Sequence, residues 1–432
     1  MAKLNQKAVN SRRTHEGAVA HPITSYQELK RSVLACMLWE DTFYEDGQSV
    51  ADRISSLVKK VKPEEVSALA IDARSKFKLR HVPLLLVREL SRTKGPLVGK
   101  TLTDVIQRPD ELTEFVAIYW KDKKEPLSAQ VKKGLAKAFQ KFNGYQLAKY
   151  NRDGKIKLRD VLFLCHAKPK DEQQEKLWKD LVDGKLTPPD TWEVALSGGK
   201  DKKETFQRLM VENNLGALAF LRNLRNMEQA GITKAEVKEY GMKLDLSRVL
   251  PFRFIAAARA VPKWEDVIEP MMLKAMSEQP KLKGHTVIVV DNSGSMYGTK
   301  ISAKSELDRS DAACALAILV REICEDCSVI GFAGTASFMP NRRGFALADA
   351  IKQGPDGGTD TGSAIRLAQS KPYDRIIVIT DEQSHTSVPN PNGKGYFINV
   401  ASYQNGIGYG PWTHIDGFSE SVIDWMREYE LQ

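Results

Sequence analysis

The sequence predicts two parts of different class: an all-α part built from helical repeats, then an α/β part around a buried parallel sheet. Three observations predict this. Up to Gly284, apolar residues recur at helical spacing with no convincing strand among them. From Lys281, uncharged β-branched runs alternate with helical stretches, the pattern of a parallel sheet covered on both faces. At 432 residues, the chain is also longer than one comfortable core.

Residues 1–20 read as a flexible basic arm, with Lys3, Lys7, Arg12 and Arg13 and little apolar content. Residues 21–280 follow as the helical part. Tyr26, Leu29, Val33 and Met37 share one helix face, and Val50–Val61 and Val66–Phe77 repeat the pattern, with Pro63 at a helix start. His81–Leu90 carries Pro83 in its first turn, where a missing N–H costs nothing. Helices are then expected at Leu102–Trp120, Val131–Phe142, Leu158–His166, Glu204–Met210, Ala217–Met227 and Leu250–Val261. Such a train of short amphipathic helices suggests a HEAT-like α-solenoid, although no clean sequence period accompanies it. Pro262 to Gly284 reads as the connection.

In residues 281–432, a strand is expected at Thr286–Val290, a helix at Leu307–Cys324 and a strand at Ser328–Ala333. A short helix at Ala346–Lys352 and another opening at Thr361 follow. Strands at Arg375–Thr380 and Tyr396–Ala401 precede a last helix from Glu420 to about Tyr429.

Composition narrows the function classes. No apolar run approaches the ~20 residues of a spanning helix, and the first residues have no hydrophobic export segment, so a cytoplasmic location without membrane contact is expected. Cysteines 36, 165, 314, 324 and 327 form no paired framework, which fits a reducing compartment. Cys324-x-x-Cys327 invites a zinc or redox reading, but it has no second pair, and packed apolar thiols are the better reading. The charge is uneven. Residues 281–432 hold 14 Lys/Arg against 18 Asp/Glu, whereas residues 121–170 hold 14 against 4. A local excess of ten positive charges points to a polyanion, with a solvated face as the alternative.

The Thr286–Val290 strand ends in Asp291, Ser293 and Ser295, alternating with Asn292 and Gly294. In open α/β sheets, ligands bind beyond the carboxyl ends of the strands. A carboxylate and two hydroxyls there suit a hard cation such as Mg²⁺; the same residues also read as a polar turn capping the next helix. Two further pieces bear on the choice: the tight turn Gly357–Gly362, and the buried run Ile376–Thr380 ending in Asp381. Together Asp291, Ser293, Ser295, Thr359 and Asp381 resemble the metal-ion-dependent adhesion site of von Willebrand factor A domains. The resemblance implies a Rossmann-like domain holding a divalent cation, expected to be Mg²⁺. Its largely neutral shell would leave the cation electrophilic toward a partner's carboxylate.

In Val131–Phe142, the residues Val131, Leu135, Ala138, Phe139 and Phe142 share a buried face. Lys133, Lys137 and Lys141 line another at i, i+4, i+8, with Lys132 beside them. Like charges at that spacing repel, so helix stability does not explain them and phosphate binding would. Lys149, Arg152, Lys155, Lys157 and Arg159 form a basic loop running into the next helix, which ends near His166 and Lys168. Arg222 and Arg225 lie off the core stripe of Ala217–Met227 and read equally as RNA contacts or as structural residues.

Several blocks resemble the Ro ribonucleoprotein family, whose N-terminal part is the TROVE module. They are Lys149-Tyr150, Leu164-x-His166-x-Lys168-Pro169, Leu218-x-x-Leu221-Arg222-Asn223-Leu224, Pro251-Phe252, Gly357-Gly358-Thr359-Asp360 and Asp416-Gly417-Phe418. The resemblance implies a ring of helical repeats closed by the A domain. It also implies small structured noncoding RNAs (Y RNAs) on the outer surface and single-stranded 3′ ends of misfolded RNA in a central hole. An exoribonuclease is the implied companion, and the protein itself is expected to be monomeric. The family's outer-surface histidine and lysine correspond to His166 and Lys149, and the intervening basic residues match in character as a patch. Where better-known members have a glycine-rich segment, this chain reads Leu38–Gly47, which suggests a divergent bacterial or phage-type branch.

The leading function is therefore a non-catalytic RNA-binding scaffold or noncoding RNA quality-control protein. A metal-dependent protein-binding adaptor is the alternative. A phosphoryl-transfer enzyme using Asp291 ranks last, because Ser293 stands where Asp-x-Asp phosphatases carry a second acid and no general acid is placed nearby.

Overall fold

A computed structural model describes residues 13–430, apart from 15, 21, 35–46, 94–96, 188, 247–248, 250, 278–280, 299–306, 402–405, 418–425 and 427–429. The described chain forms two compact units. One joins residues 13–34 to 276–430, and the other spans residues 47–275. The first helix, α1 (Ser25–Leu34), thus belongs to the sheet-containing unit and not to the helical one. The segment Leu38–Gly47 lies outside the described residues as far as Asp46.

The helical unit begins with α2 (Gly47–Val58), α3 (Pro63–Ser75) and α4 (His81–Arg92), with Pro63 and Pro83 in first turns as expected. The single helix predicted over Leu102–Trp120 is instead two, α5 (Val98–Val105) and α6 (Pro109–Tyr119). Pro109 makes the break, because it lacks an N–H and its ring would strike the carbonyl one turn back. Glu111 caps the new helix, accepting from the Gln107 and Arg108 N–H groups at 2.7 and 3.1 Å. Its other oxygen takes the Arg74 guanidinium at 2.7 Å, which ties α3 to α6 through a buried ion pair.

Then come α7 (Ala129–Phe139), α8 (Gly144–Tyr150), α9 (Leu158–Leu164), α10 (Glu172–Val182) and α11 (Trp192–Ser197). The unit ends with α12 (Lys202–Val211), α13 (Ala217–Gln229), α14 (Lys234–Lys243), α15 (Pro251–Ala260) and α16 (Glu265–Ser277). Lys149 and Tyr150, expected in a loop, close α8. The stretch Pro262–Gly284, expected as a connection, holds α16, with Pro270 inside it, and the start of the first strand. Gly134 lets α7 approach α5 closely. A Cβ there would meet the Gly99 carbonyl oxygen at 2.8 Å.

In the other unit, β1 (Leu282–Asp291) leads to α17 (Arg309–Ile323), β2 (Cys324–Phe332) and a short β3 (Ala336–Phe338). Then α18 (Gly344–Lys352), α19 (Thr361–Ala368), β4 (Arg375–Thr380), β5 (Lys394–Asn399) and β6 (Thr413–Asp416) follow. The sheet order is β3-β2-β1-β4-β5-β6, with every pairing parallel except the antiparallel edge strand β3. The two edge strands escape sequence reading because three or four residues carry no usable period. The last helix expected from Glu420 lies outside the described residues except at Met426.

Strand alternation explains the layers. Val287 and Val289 of β1 join Ile376 and Val378 of β4 and the Ala364, Ile365 and Ala368 face of α19 in one core. Ile288 and Val290 point to the opposite face, and α17, buried along nearly its whole length, packs against β1 and β4. Each fully buried Val or Ile contributes roughly 1.5–3 kcal/mol, so this central strand is costly to disturb.

The flexible arm expected over residues 1–20 is not what residues 13–20 form. Ala18 belongs to the sheet core, Arg13 bridges Val19, and the Thr14 hydroxyl donates to the Ser384 carbonyl at 2.7 Å. These contacts use small residues, so low apolar content hid them. Residues 1–12 lie outside the described part.

Candidate metal centre and nucleic-acid interface

The five candidate metal ligands come together at the carboxyl end of the sheet. Asp291 ends β1, Ser293 and Ser295 fall on the 3₁₀ turn that follows, and Asp381 succeeds the neighbouring β4. All five are buried. The Ser293 N–H donates to Asp291 Oδ1 at 2.9 Å, and the Ser295 hydroxyl donates to Asp381 Oδ2 at 2.6 Å. The two serine hydroxyls are 3.3 Å apart. The glycine turn is tied to this loop by Gly294 N–H to the Gly357 carbonyl at 3.2 Å, and the Thr359 backbone carbonyl accepts from the His385 N–H at 3.0 Å. Burial, and then the Asp381 carboxylate, push the Asp291 carboxyl upward. Among the described residues, no group of three or more His, Cys, Asp or Glu side chains is arranged to hold a metal ion. The set here is two carboxylates and three hydroxyls, all oxygen, which fits a hard divalent cation and not a thiolate metal.

Sequence reasoning missed the support around this cluster. The Thr380 hydroxyl donates to Asp291 and accepts from the Glu382 N–H at 3.0 Å. Glu382 has a left-handed backbone (φ 63°), a conformation a non-glycine residue keeps only where its surroundings hold it. Its buried carboxylate takes Arg31 of α1 on one oxygen and His414 Nε2, at 2.7 Å, on the other. Burial would raise that carboxyl, but Arg31 and His414 outweigh it and hold it at about 2. Gly406 leaves the room, since a Cβ there would overlap Glu382 and Arg31. Glu382 is visible beside Asp381 in sequence, whereas Arg31 has no local signal.

Burial pushes the Cys324 thiol up to about 11 and raises Cys327 as well, as befits packed neutral thiols.

The basic residues lie on α7, α8, α9 and α13 and on the segments that follow the first three. Lys133 and Lys137 of α7 line a cavity of about 310 Å³ against α5, together with Lys100, Thr103, Asp104 and Gln130. Lys132 lies on the other side, close to Cys165 at the end of α9. Lys141 departs from the expected stripe. It donates to the Thr103 carbonyl at 2.7 Å and to that of Ile106, so its ammonium closes the C-terminus of α5. Lys149 is half-buried at the end of α8, while Arg152, Lys155, Arg159 and Lys168 are exposed. Lys157 pairs with Asp153 at 2.7 Å, and the Tyr150 ring carries guanidinium groups from Arg108 at 4.6 Å and Arg152 at 5.8 Å. Arg222 is exposed on α13, and Arg225 on the same helix donates from Nε to the Ala260 carbonyl at 3.4 Å, a structural role. α13 packs on α12, α14 and α15.

His166 terminates α9 in an unusual way. The Ala167 N–H reaches the Leu162 carbonyl and the His166 N–H the Phe163 carbonyl, a Schellman closure. His166 occupies the position usually given to glycine, at φ 51°, with its side chain exposed.

A TROVE domain model matches residues 16–183 and 182–313. The chain belongs to the TROVE-domain family. A von Willebrand factor type A domain model matches residues 286–383 of this TROVE chain, a span that holds all five clustered residues. Among solved structures, the Ro (RSR) protein of Deinococcus radiodurans matches at a TM-score of 0.61 and 16% identity, over 94% of this chain and 99% of that one. The two share a fold. No curated protein matches the sequence. The TROVE match begins in the segment that packs with the sheet, ahead of α1. Among the described residues, no helix is long and apolar enough to cross a membrane.

Proposed function

We propose that this TROVE chain is a non-catalytic, Ro-type RNA-binding protein that takes up noncoding RNA on the basic helices α7, α8 and α9. One observation carries the reading: the positive charge of residues 121–170 is not neutralised within the fold. Of its four acids, Asp122 is held by Arg88 and Arg92, Asp153 by Lys157, and Asp160 caps the Lys157 N–H. Among the described residues, no carboxylate pairs with Lys132, Lys133, Lys137, Lys149, Lys155, Arg159 or Lys168. Elsewhere in the helical unit, arginines are spent on acids, as in Arg74–Glu111 and Arg208–Asp190. Uncompensated lysines over helix termini suit phosphate, and they supply affinity without reading sequence.

On this reading the ligand is a small structured, Y RNA-like molecule, or a misfolded RNA with a single-stranded 3′ end, and an exoribonuclease is a natural companion. The test is to purify the full chain at low ionic strength from its own cells and to sequence what comes with it. Small noncoding RNA is expected. A preparation free of nucleic acid that also fails to retard added noncoding RNA overturns the proposal.

The second part of the reading concerns the carboxylate–hydroxyl cluster. Asp291, Ser293, Ser295, Thr359 and Asp381 would hold a divalent cation, Mg²⁺ by its preference for oxygen. When bound, that cation would supply an open coordination position for a partner's carboxylate. Meanwhile Thr380 orients Asp291, and Glu382 and Gln383 fix the turn around Asp381. Titration calorimetry with MgCl₂ on the RNA-free protein tests it. Saturable binding that disappears in Asp381→Ala is expected, and no heat of binding overturns it.

A further inference from the structure

Seven large hydrophobic residues are exposed among those described. Five are aliphatic: Val19, Val194, Val211, Leu218 and Met242. The two aromatic ones, Phe163 at 61% and Tyr145 at 55%, both fall in the fifty-residue segment with 14 Lys/Arg against 4 Asp/Glu. The chain has 34 aromatic residues, so the coincidence asks for a cause.

Phe163 belongs to α9, whose Leu158, Val161 and Leu162 are buried where the helix packs on α6 and α7. Phe163 lies off that stripe, and among the described residues no other ring packs on it. Arg159 stands four residues before it and is exposed, so the two share a face of α9. His166, three residues after it, is turned outward by its left-handed backbone, and the Phe163 carbonyl accepts the His166 N–H at 3.2 Å. Tyr145 repeats the theme on α8, four residues before Lys149.

An exposed apolar ring gains nothing from water, and its cationic neighbours disfavour a cationic partner. A flat, neutral base on a negatively charged backbone satisfies both features at once. We propose that Phe163, flanked by Arg159 and His166, is a stacking platform for an unpaired base of bound RNA. The Tyr145 ring beside Lys149 offers a second such surface. The inference rests on the RNA-binding reading above and adds to it a requirement for unpaired nucleotides at one place.

The test uses the full chain with a labelled single-stranded oligoribonucleotide, the same strand in a full duplex, and the same strand carrying abasic sites. Because Phe163 is exposed, Phe163→Ala should fold normally. It should weaken single-strand binding by about five- to a hundredfold, leave duplex binding and the salt slope unchanged, and lose its effect on the abasic strand. Phe163→Trp should restore the affinity. Equal losses on strand and duplex, or no loss at all, overturn the platform while leaving RNA binding standing. Failure of the unaltered protein to bind either RNA overturns the RNA reading and the platform with it. Release of a co-purifying protein by Phe163→Ala, with RNA affinity unchanged, assigns the ring to a protein partner and overturns the platform.

Discussion

Arg31 of α1 donates to the Glu382 carboxylate across 351 positions of sequence, and both side chains are fully buried. Glu382 follows Asp381 directly, so a helix from the start of the chain neutralises the residue beside a candidate cation ligand. Arg31→Met keeps bulk but strands the carboxylate with His414 alone. Breaking a buried pair in this way costs roughly 3–5 kcal/mol. Denaturant unfolding should show that loss, and Arg31→Met with Glu382→Gln should lose less than the two singles summed. Additive losses would mean the pair is not coupled.

A second ion cluster gives a pH dependence. Arg375 grips Glu430 with two bonds of 2.8 and 2.6 Å, and Lys394 and Tyr396 each add one of 3.0 Å. Burial would raise the Glu430 carboxyl, but these partners hold it at about 2, below its ordinary 4.5. A depressed carboxyl stabilises the fold above its unfolded value, and the contribution is lost as pH falls from about 4.5 toward 2. Glu430→Gln should therefore lower the Tm at neutral pH and flatten the fall of Tm across that acid window. An unchanged acid slope would contradict the assignment.

The two buried carboxylates of the sheet cluster oppose each other unless a cation intervenes. Asp291→Asn should raise the Tm in EDTA by a few degrees and abolish any Tm increase on adding MgCl₂. Thermal melts with and without chelator read both effects. A Tm gain with MgCl₂ as large as that of the unaltered protein would exclude Asp291 as a ligand.

His166 pays a backbone cost for its place. His166→Gly relieves a left-handed conformation and should stabilise the helical unit by about 1 kcal/mol while weakening RNA binding. Unfolding and anisotropy titrations measure the two separately. Loss of stability would contradict the strain, and unchanged affinity would remove His166 from the interface.

Much of this was legible in the sequence where a local rule governs. Pro63 and Pro83 mark helix starts, the Thr286–Val290 run marks the central strand, and Asp-x-Ser-x-Ser with Thr359 and Asp381 marks the clustered oxygens. What failed was non-local. Thr14, Ala18 and Arg31 enter the sheet unit through contacts hundreds of residues away, which no period encodes. Lys141 looked like the end of a cationic stripe because the i, i+4, i+8 spacing cannot show that α5 ends beneath it. Phe163 carries no signal of its own in the sequence, since a short helix does not reveal which side its neighbours cover.

The central claim is that unneutralised charge on α7–α9 binds RNA phosphate. The most direct test is the slope of log affinity against log salt for the full chain and a noncoding RNA with a single-stranded end. Each neutralised phosphate contributes roughly 0.7 to that slope on a single strand. Replacing Lys133, Lys137 and Lys149 by Met should flatten it by about 2 and weaken binding at low salt, whereas Lys141→Met, which only uncaps α5, should leave the slope as it was. Equal slopes for the unaltered protein and the triple variant would contradict the account.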